Sequence, residues 1–115
     1  MENRNQAWVY CSIDAPEDTH GALKGQRQQL MDYAAQMGFE VAGSSNDLGS
    51  LPLFMRDGFR YFLDAVEAGR ANTLLIVNPN CLTRSTMQLA QLQALIENCG
   101  LQVYSPLTGA VFLCQ

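Results

Sequence analysis

Residues 7–14 read AWVYCSID and residues 73–77 read TLLIV, two apolar runs that each end in a polar loop. The first run stops at Asp14, and the second is followed by NPNCLTRS, which leads into a helical pattern. Short continuous apolar runs are typical of strands covered on both faces of a parallel sheet. Ligands bind to such sheets in the loops after the carboxyl ends of the strands. We therefore expect any chemistry around Asp14 and in the loop after Val77.

The rest of the chain alternates between strand-like and helix-like patterns. Strands are predicted at residues 8–13, 39–42, 74–77 and 101–104, with a shorter edge strand at 110–114. Helices are predicted at 22–37, from Asp57 to Gly69, and from a cap at Ser85 or Thr86 to Gly100. The Gly-, Ser- and Asn-rich stretch 43–55 is predicted to be a loop. The apolar positions of the first and third helices are Leu23, Leu30, Tyr33, Ala34 and Met37, and Leu89, Leu92, Leu95 and Ile96, respectively.

This order of elements predicts an α/β fold with three α/β/α layers. Its sheet is expected to be mainly parallel, with four to five strands in flavodoxin-like order, because consecutive parallel strands are joined by right-handed crossovers. At 115 residues and 48% hydrophobic content, residues 1–115 fit a single domain that buries about two-thirds of its surface.

Charge and apolar content exclude several classes of protein. The formal net charge is −4, and the cations are Lys24 and six arginines, which poorly matches a domain that binds a nucleic-acid backbone by itself. The start of the chain has no signal-peptide pattern, and no apolar stretch approaches the roughly 20 residues that span a bilayer. We therefore expect a cytoplasmic protein with no membrane partner.

The sequence offers little for metal or cofactor chemistry. The four cysteines share no CxxC spacing, and the one histidine, His20, lies beside Glu17 and Asp18. Neither GxGxxG nor GxxxxGK[ST] occurs, so the usual phosphate-binding glycine loops are absent. We expect no metal and no cofactor.

One alternative is a Mg²⁺-dependent, receiver-like domain. Asp14, the loop around Asp47, and Asn80 would supply oxygen ligands at one sheet edge, as hard cations prefer. That interpretation needs a carboxylate where Asn80 stands and a lysine after the fourth strand, and the sequence has neither.

Two arginines stand directly before predicted helices. Arg56 precedes the second helix and Arg84 is close to the start of the third. A guanidinium beside a helix N-terminus favours anion binding, because free backbone N–H groups point the same way. The competing interpretation is that each is a surface arginine paired with an acid such as Asp57.

From about residue 7 to residue 104 the chain resembles the catalytic domain of serine recombinases, the resolvase/invertase family. The residues that carry the resemblance are YCSID, Gln26 with Leu30, DLGS at 47–50, RDGF at 56–59, EAGR at 67–70, and NCLTRS after TLLIV. The family pattern reads roughly Y-x-R-x-S, then D-x-G-x-S-G and R-x-G, then D-R-L-S-R. The resemblance implies a resolvase-like fold and site-specific DNA strand cleavage and rejoining in recombination or integration.

In that family a serine hydroxyl attacks a DNA phosphodiester, arginines stabilise the transition state, and no cofactor is used. Here the nucleophile position is Asp14, and the arginine two residues earlier is Ser12. The Asp-Arg pair after the third strand is Asn80-Cys81. Because Ser12 would lie about 6–7 Å back along the strand, we expect it to be away from Arg56 and unable to replace the nucleophile.

The positions that match the family are Gln26, Arg56 and Arg84, which the resemblance implies as DNA-phosphate contacts. We interpret the chain as a recombinase domain, a relic or accessory protein of a mobile element, that has lost catalysis and lacks the later DNA-binding domain. Its expected partners are DNA, bound weakly by this domain alone, and a second copy or a full-length recombinase. A non-catalytic protein-interaction module on a flavodoxin-like scaffold is the alternative.

Overall fold

The computed structural model describes residues 6–13, 21–48, 51–77, 82, 85–106 and 109–110. Within these residues, five strands and three helices follow one another, with one 3₁₀ turn at Leu53–Met55. The strands are β1 (Gln6–Ile13), β2 (Glu40–Leu48), β3 (Thr73–Leu75), β4 (Gln102–Ser105) and β5 (Gly109–Ala110). The helices are α1 (Ala22–Met37), α2 (Asp57–Glu67) and α3 (Thr86–Cys99).

The strands form one sheet in the order β2-β1-β3-β4-β5, in which only β5 is antiparallel to its neighbour. The predicted α/β architecture and flavodoxin-like order are thereby confirmed. β1 lies between β2 and β3, so its carboxyl end is next to the point where the strand order reverses.

Alternate residues of β1 face opposite layers of the molecule. Ala7, Val9 and Cys11 pack with Leu30 and Ala34 of α1. Trp8 and Tyr10 pack on the other face, in a core that includes Phe59 and Phe62 of α2 and Leu92 of α3. Because successive strand side chains alternate in direction, Ser12 lies on the same face as Tyr10, toward α2.

The second strand is much longer than its sequence pattern predicted. Instead of ending at residue 42 and entering a loop, β2 continues to Leu48 and pairs with β1 along its whole length. Gly43 makes this possible beside Trp8, because a Cβ there would lie 2.5 Å from the indole ring. The Trp8 indole N–H also donates to the Ser45 hydroxyl at 2.9 Å. The continuation over residues 43–48 was missed because most of these residues are small or polar, a composition typical of loops.

The helix boundaries follow the predicted caps closely. α1 spans Ala22–Met37 and ends at Gly38, which has a positive φ of 76°. Ser85 is the N-cap of α3, and its hydroxyl accepts a bond from the Gln88 N–H at 3.3 Å. The predicted apolar faces are only partly correct: Met37 is 46% exposed, and Leu92 is the one fully buried residue of α3.

The remaining strands differ slightly from prediction. β3 is Thr73–Leu75 and β4 is Gln102–Ser105, each shifted by one or two residues. β5 comprises Gly109–Ala110, and the rest of the predicted edge strand, residues 111–114, lies outside the described residues. No helix in the described ranges is long and apolar enough to cross a membrane.

Candidate functional site

Asp47 is the centre of a polar network at the carboxyl edge of the sheet. The residue lies on β2 opposite Ser12, not in a loop as the sequence suggested. Its Oδ1 accepts the Gly58 N–H at 2.9 Å, and its Oδ2 accepts the Phe59 N–H at 3.0 Å. Oδ2 also accepts the Tyr10 hydroxyl at 2.7 Å. One carboxylate therefore joins β1, β2 and the first turn of α2.

This arrangement changes what the N-terminus of α2 can bind. Free N–H groups at a helix start carry partial positive charge and attract anions. At α2 the N–H groups of Gly58 and Phe59 already donate to Asp47. The expectation that they are open to an external anion beside Arg56 is therefore wrong.

Arg56 is buried rather than placed on the surface. Only 9% of the residue is exposed, and its Nε donates to the Leu51 carbonyl at 2.9 Å. Its Nη1 lies 3.4 Å from both the Tyr10 hydroxyl and the Ser12 hydroxyl. The interpretation of Arg56 as a surface arginine is thus also wrong, because the guanidinium turns back over the end of β1.

Ser12 lies next to Arg56 rather than away from it. Strand spacing predicted that Ser12 lies away from Arg56, but its hydroxyl is 3.4 Å from the guanidinium. The prediction was wrong because it did not account for the direction of the Arg56 side chain, which turns toward β1. The residue is 8% exposed. A buried hydroxyl that faces a cation is well placed to accept a hydrogen bond, and poorly placed to meet a large substrate.

Gln26 holds the main chain of Ser12. Its Oε1 accepts the Ser12 N–H and its Nε2 donates to the Ser12 carbonyl, both at 3.1 Å. These two bonds resemble the pairing of a neighbouring strand, and they occur where β1 extends beyond its pairing with β3. For Gln26 to bind a phosphate, at least one of these contacts has to be exchanged.

Tyr10 links the arginine to the carboxylate. Burial raises the pKa of the Tyr10 hydroxyl well above its usual value, the hydrogen bond from Arg56 lowers it, and the bond to Asp47 and the charge of that carboxylate raise it. The neutral phenol is therefore strongly favoured in the folded protein. In that form it donates to Asp47 while accepting from Arg56.

The raised pKa of Tyr10 predicts a loss of stability at alkaline pH. The folded phenol holds its proton to higher pH than the unfolded one, so its contribution is complete below about pH 10 and falls as pH rises. The free energy of unfolding, measured with denaturant between pH 8 and 11.5, is expected to fall above about pH 10 by up to ~1.4 kcal/mol per pH unit. Tyr10→Phe should reduce that slope, whereas Tyr61→Phe, at a 60% exposed position, should not. Equal slopes in both variants would contradict the assignment.

The other predicted site residues, Asp14, Asn80, Cys81 and Arg84, lie outside the described residues. The structure brings together Ser12, Gln26 and Arg56 and adds Tyr10 and Asp47. Sequence reasoning missed the role of Tyr10, although its place two residues before Ser12 on an apolar strand was a usable signal.

Within the described ranges there is no group of three or more His, Cys, Asp or Glu side chains that could hold a metal ion.

Several solved structures share this fold. The N-terminal catalytic domain of TP901-1 integrase matches with a TM-score of 0.74 and 19% identity, over 88% of this chain and 76% of that one. The C-terminal catalytic domain of ISC1926 TnpA, an IS607-like serine recombinase, matches with a TM-score of 0.76 and 23% identity, over 87% and 66%. A resolvase family site-specific recombinase from Streptococcus pneumoniae matches with a TM-score of 0.75 and 14% identity. That match covers 92% of this chain and 74% of the recombinase.

Sequence comparison gives the family directly. No curated protein sequence matches the chain. The family model for the N-terminal domain of resolvases, by contrast, matches residues 11–109, which is most of the 115 residues. The chain is therefore a member of the resolvase N-terminal domain family, with a serine recombinase-like fold, and its candidate site is the network of Asp47, Tyr10, Arg56 and Gln26.

Proposed function

We propose that this chain is a resolvase-family domain that does not cleave DNA itself and acts together with another recombinase. The observation that carries the proposal is the sequence at the reacting positions: Asp14 stands where the family has its serine, and Ser12, Asn80 and Cys81 replace the other catalytic residues. A carboxylate at position 14 carries no hydroxyl to attack phosphorus, and its charge repels the DNA phosphate.

The electrostatic losses support the same conclusion. Removing one positioned stabiliser of a developing negative charge costs about 10²–10³ in rate. Ser12 and Cys81 take the place of two arginines, so the chain lacks two cations that the reaction uses. Arg56 remains, but it lies beside Tyr10 and Ser12 in a largely buried position.

DNA is the proposed partner by family membership, and we propose that this domain alone binds it weakly. A net charge of −4 opposes association with a polyanion. Gln26, Arg56 and Arg84 remain the proposed phosphate contacts, with Gln26 and Arg56 exchanging existing hydrogen bonds on binding. A cytoplasmic location and a mixed assembly with an active recombinase complete the proposal.

A recombination reporter tests this function. An active serine recombinase of the family is expressed at fixed level with its reporter substrate, with and without this chain. We expect the chain to change the recombination yield several-fold, in either direction, and to co-sediment with the recombinase. An unrelated soluble protein of similar size, expressed at the same level, is the control that should have no effect. An unchanged yield together with separate sedimentation would contradict the proposal.

A protein-interaction module is the second candidate, and exposed apolar side chains favour it. Leu51, Met55 and Met87 are 54%, 64% and 72% exposed. The Leu53 N–H donates to the Gln88 side chain at 3.1 Å, which brings the two segments carrying them together. A stable protein complex that forms without DNA and without any recombinase would favour this candidate.

A further inference from the structure

The start of α2 contains a chemically labile dipeptide. Asp57 and Gly58 form the only Asp-Gly pair of the sequence, which has no Asn-Gly pair. In such a pair the amide nitrogen of the glycine can attack the carboxyl carbon of the aspartate, because glycine has no side chain to hinder the approach. The nitrogen gives up its proton and the carboxyl loses a hydroxyl group, so that a succinimide forms and one water leaves. Water then opens the ring either at Cγ, which restores aspartate, or at the main-chain carbonyl, which leaves isoaspartate.

The packing of the fold requires glycine at the second position of this pair. A Cβ on Gly58 would overlap the carbonyl oxygen of Asn46 and lie 2.6 Å from the Asp47 Oδ2. A larger residue after Asp57 would hinder ring closure, but the close approach of α2 to β2 excludes it. Asp57 itself is the first residue of the helix and is exposed. The fold thus keeps a reactive pair in contact with solvent.

Both main-chain polar groups of Gly58 are held by β2. Its N–H donates to the Asp47 Oδ1 at 2.9 Å, and its carbonyl accepts the Ser45 hydroxyl at 2.6 Å. Ring closure requires the Gly58 nitrogen to lose its proton and to turn toward the Asp57 side chain. Either change breaks the bond to Asp47. A negative charge on the nitrogen, at the distance of that hydrogen bond from a carboxylate, is also opposed by like-charge repulsion.

We propose that Asp57–Gly58 is a site of isoaspartate formation, and that Asp47 suppresses the reaction while α2 is docked on β2. Opening of this contact exposes the pair to reaction, and the product prevents the contact from forming again. Isoaspartate carries the main chain through its side chain, which adds one carbon atom before Gly58 and leaves a carboxylate on Cα. The added atom displaces the Gly58 N–H from Asp47 and so releases the start of α2 from the sheet. The proposal is independent of DNA and of the proposed function.

Ageing of the purified chain at neutral pH tests the proposal. Isoaspartate at residue 57 is quantified after proteolysis by chromatography against synthetic peptides of both forms. The parent should react about tenfold slower, or more, than a synthetic peptide of residues 52–63, as an opening free energy of ~1.4 kcal/mol would give. Asp47→Ala should react several-fold faster than the parent, and Asp47→Asn, which keeps an acceptor oxygen, should lie between them. Equal rates for the parent and the peptide would overturn the proposal.

A second buried substitution separates the effect of Asp47 from that of global stability. Leu92→Ala removes a buried side chain of α3 and should cost ~2–5 kcal/mol without touching Gly58 or Asp47. While circular dichroism shows both variants to be folded, Leu92→Ala should react at nearly the rate of the parent. If Asp47→Ala does not fold, Asp47→Asn takes its place in the comparison. A rate for Leu92→Ala equal to that of the Asp47 variant would overturn the role of Asp47, because global unfolding would then control the reaction.

Substitution of Asp57 itself identifies the reacting residue. Asp57→Glu keeps an acid in the first turn of α2 but would have to close a six-membered ring, so it should give no isomer at this position. Asp57→Asn should lose ammonia and gain mass through the same succinimide, faster in the Asp47→Asn background than alone. Isomer at residue 57 in the glutamate variant, or deamidation that ignores the Asp47 substitution, would overturn the proposal.

Discussion

Replacing Gly58 with alanine is expected to destabilise the domain by about 3 kcal/mol, at the upper end of the cost of overpacking. A Cβ at this position would overlap the carbonyl of Asn46 and lie 2.6 Å from the Asp47 Oδ2. Both atoms belong to β2, which pairs with β1 along its length and cannot retreat without loss of strand hydrogen bonds. Relief therefore requires α2 to move away, which would break the bonds from Gly58 and Phe59 to Asp47.

Gly25→Ala is the matched control for this substitution. Gly25 lies within α1 and is exposed, and a Cβ added there would meet no other atom within 4 Å. Because alanine favours a helix by roughly 0.8–1 kcal/mol over glycine, this variant should be slightly more stable than the parent. Denaturant unfolding of the three proteins measures both effects. Similar stabilities for the two variants would show that α2 does not press against β2 at Gly58.

Replacing Asp47 with alanine is the second large expected effect, also about 3 kcal/mol. The change removes the acceptor for the Gly58 and Phe59 N–H groups and for the Tyr10 hydroxyl. Loss of a helix N-cap costs ~0.5–2 kcal/mol, and a buried group left without its partner costs about 1–3 kcal/mol. It also removes the carboxylate that accepts the Tyr10 hydroxyl, the group to which Arg56 donates.

Asp64→Ala provides the control on the same helix, because Asp64 is exposed and should change stability by no more than about 0.5 kcal/mol. Asp47→Asn should be intermediate, since its amide oxygen can still accept one or two of the bonds. Urea unfolding followed by Trp8 fluorescence reports the order. If Asp47→Ala were as stable as Asp64→Ala, the carboxylate would not be the centre of the site.

The architecture could be predicted because it depends on patterns that are local in the sequence. The apolar run of β1 and the helical spacing before Gly38 each identify an element within a few residues. β2 could not be bounded in this way. Gly43, Ser44 and Ser45 look like a loop. Their partners on β1, including the Trp8 indole that donates to the Ser45 hydroxyl, lie more than 30 residues earlier in the chain.

The site was only partly predictable for a similar reason. Position in the fold places Arg56 near the sheet edge, but the direction of its side chain is set by the Leu51 carbonyl and by the hydroxyls of β1. Asp47 could be named as a polar residue, yet nothing in its spacing indicates that it caps α2. Both features follow from contacts between distant segments, which periodicity does not describe.

Covalent capture of DNA tests the central claim, that this resolvase-family domain does not cleave DNA. The chain is incubated with end-labelled duplex DNA that carries a recombination site, and the products are separated on a denaturing gel beside an active serine recombinase. We predict an adduct for the active recombinase and none for this chain or for its Ser12→Ala and Asp14→Ala variants. A protein–DNA adduct formed by this chain and lost in either variant would contradict the account.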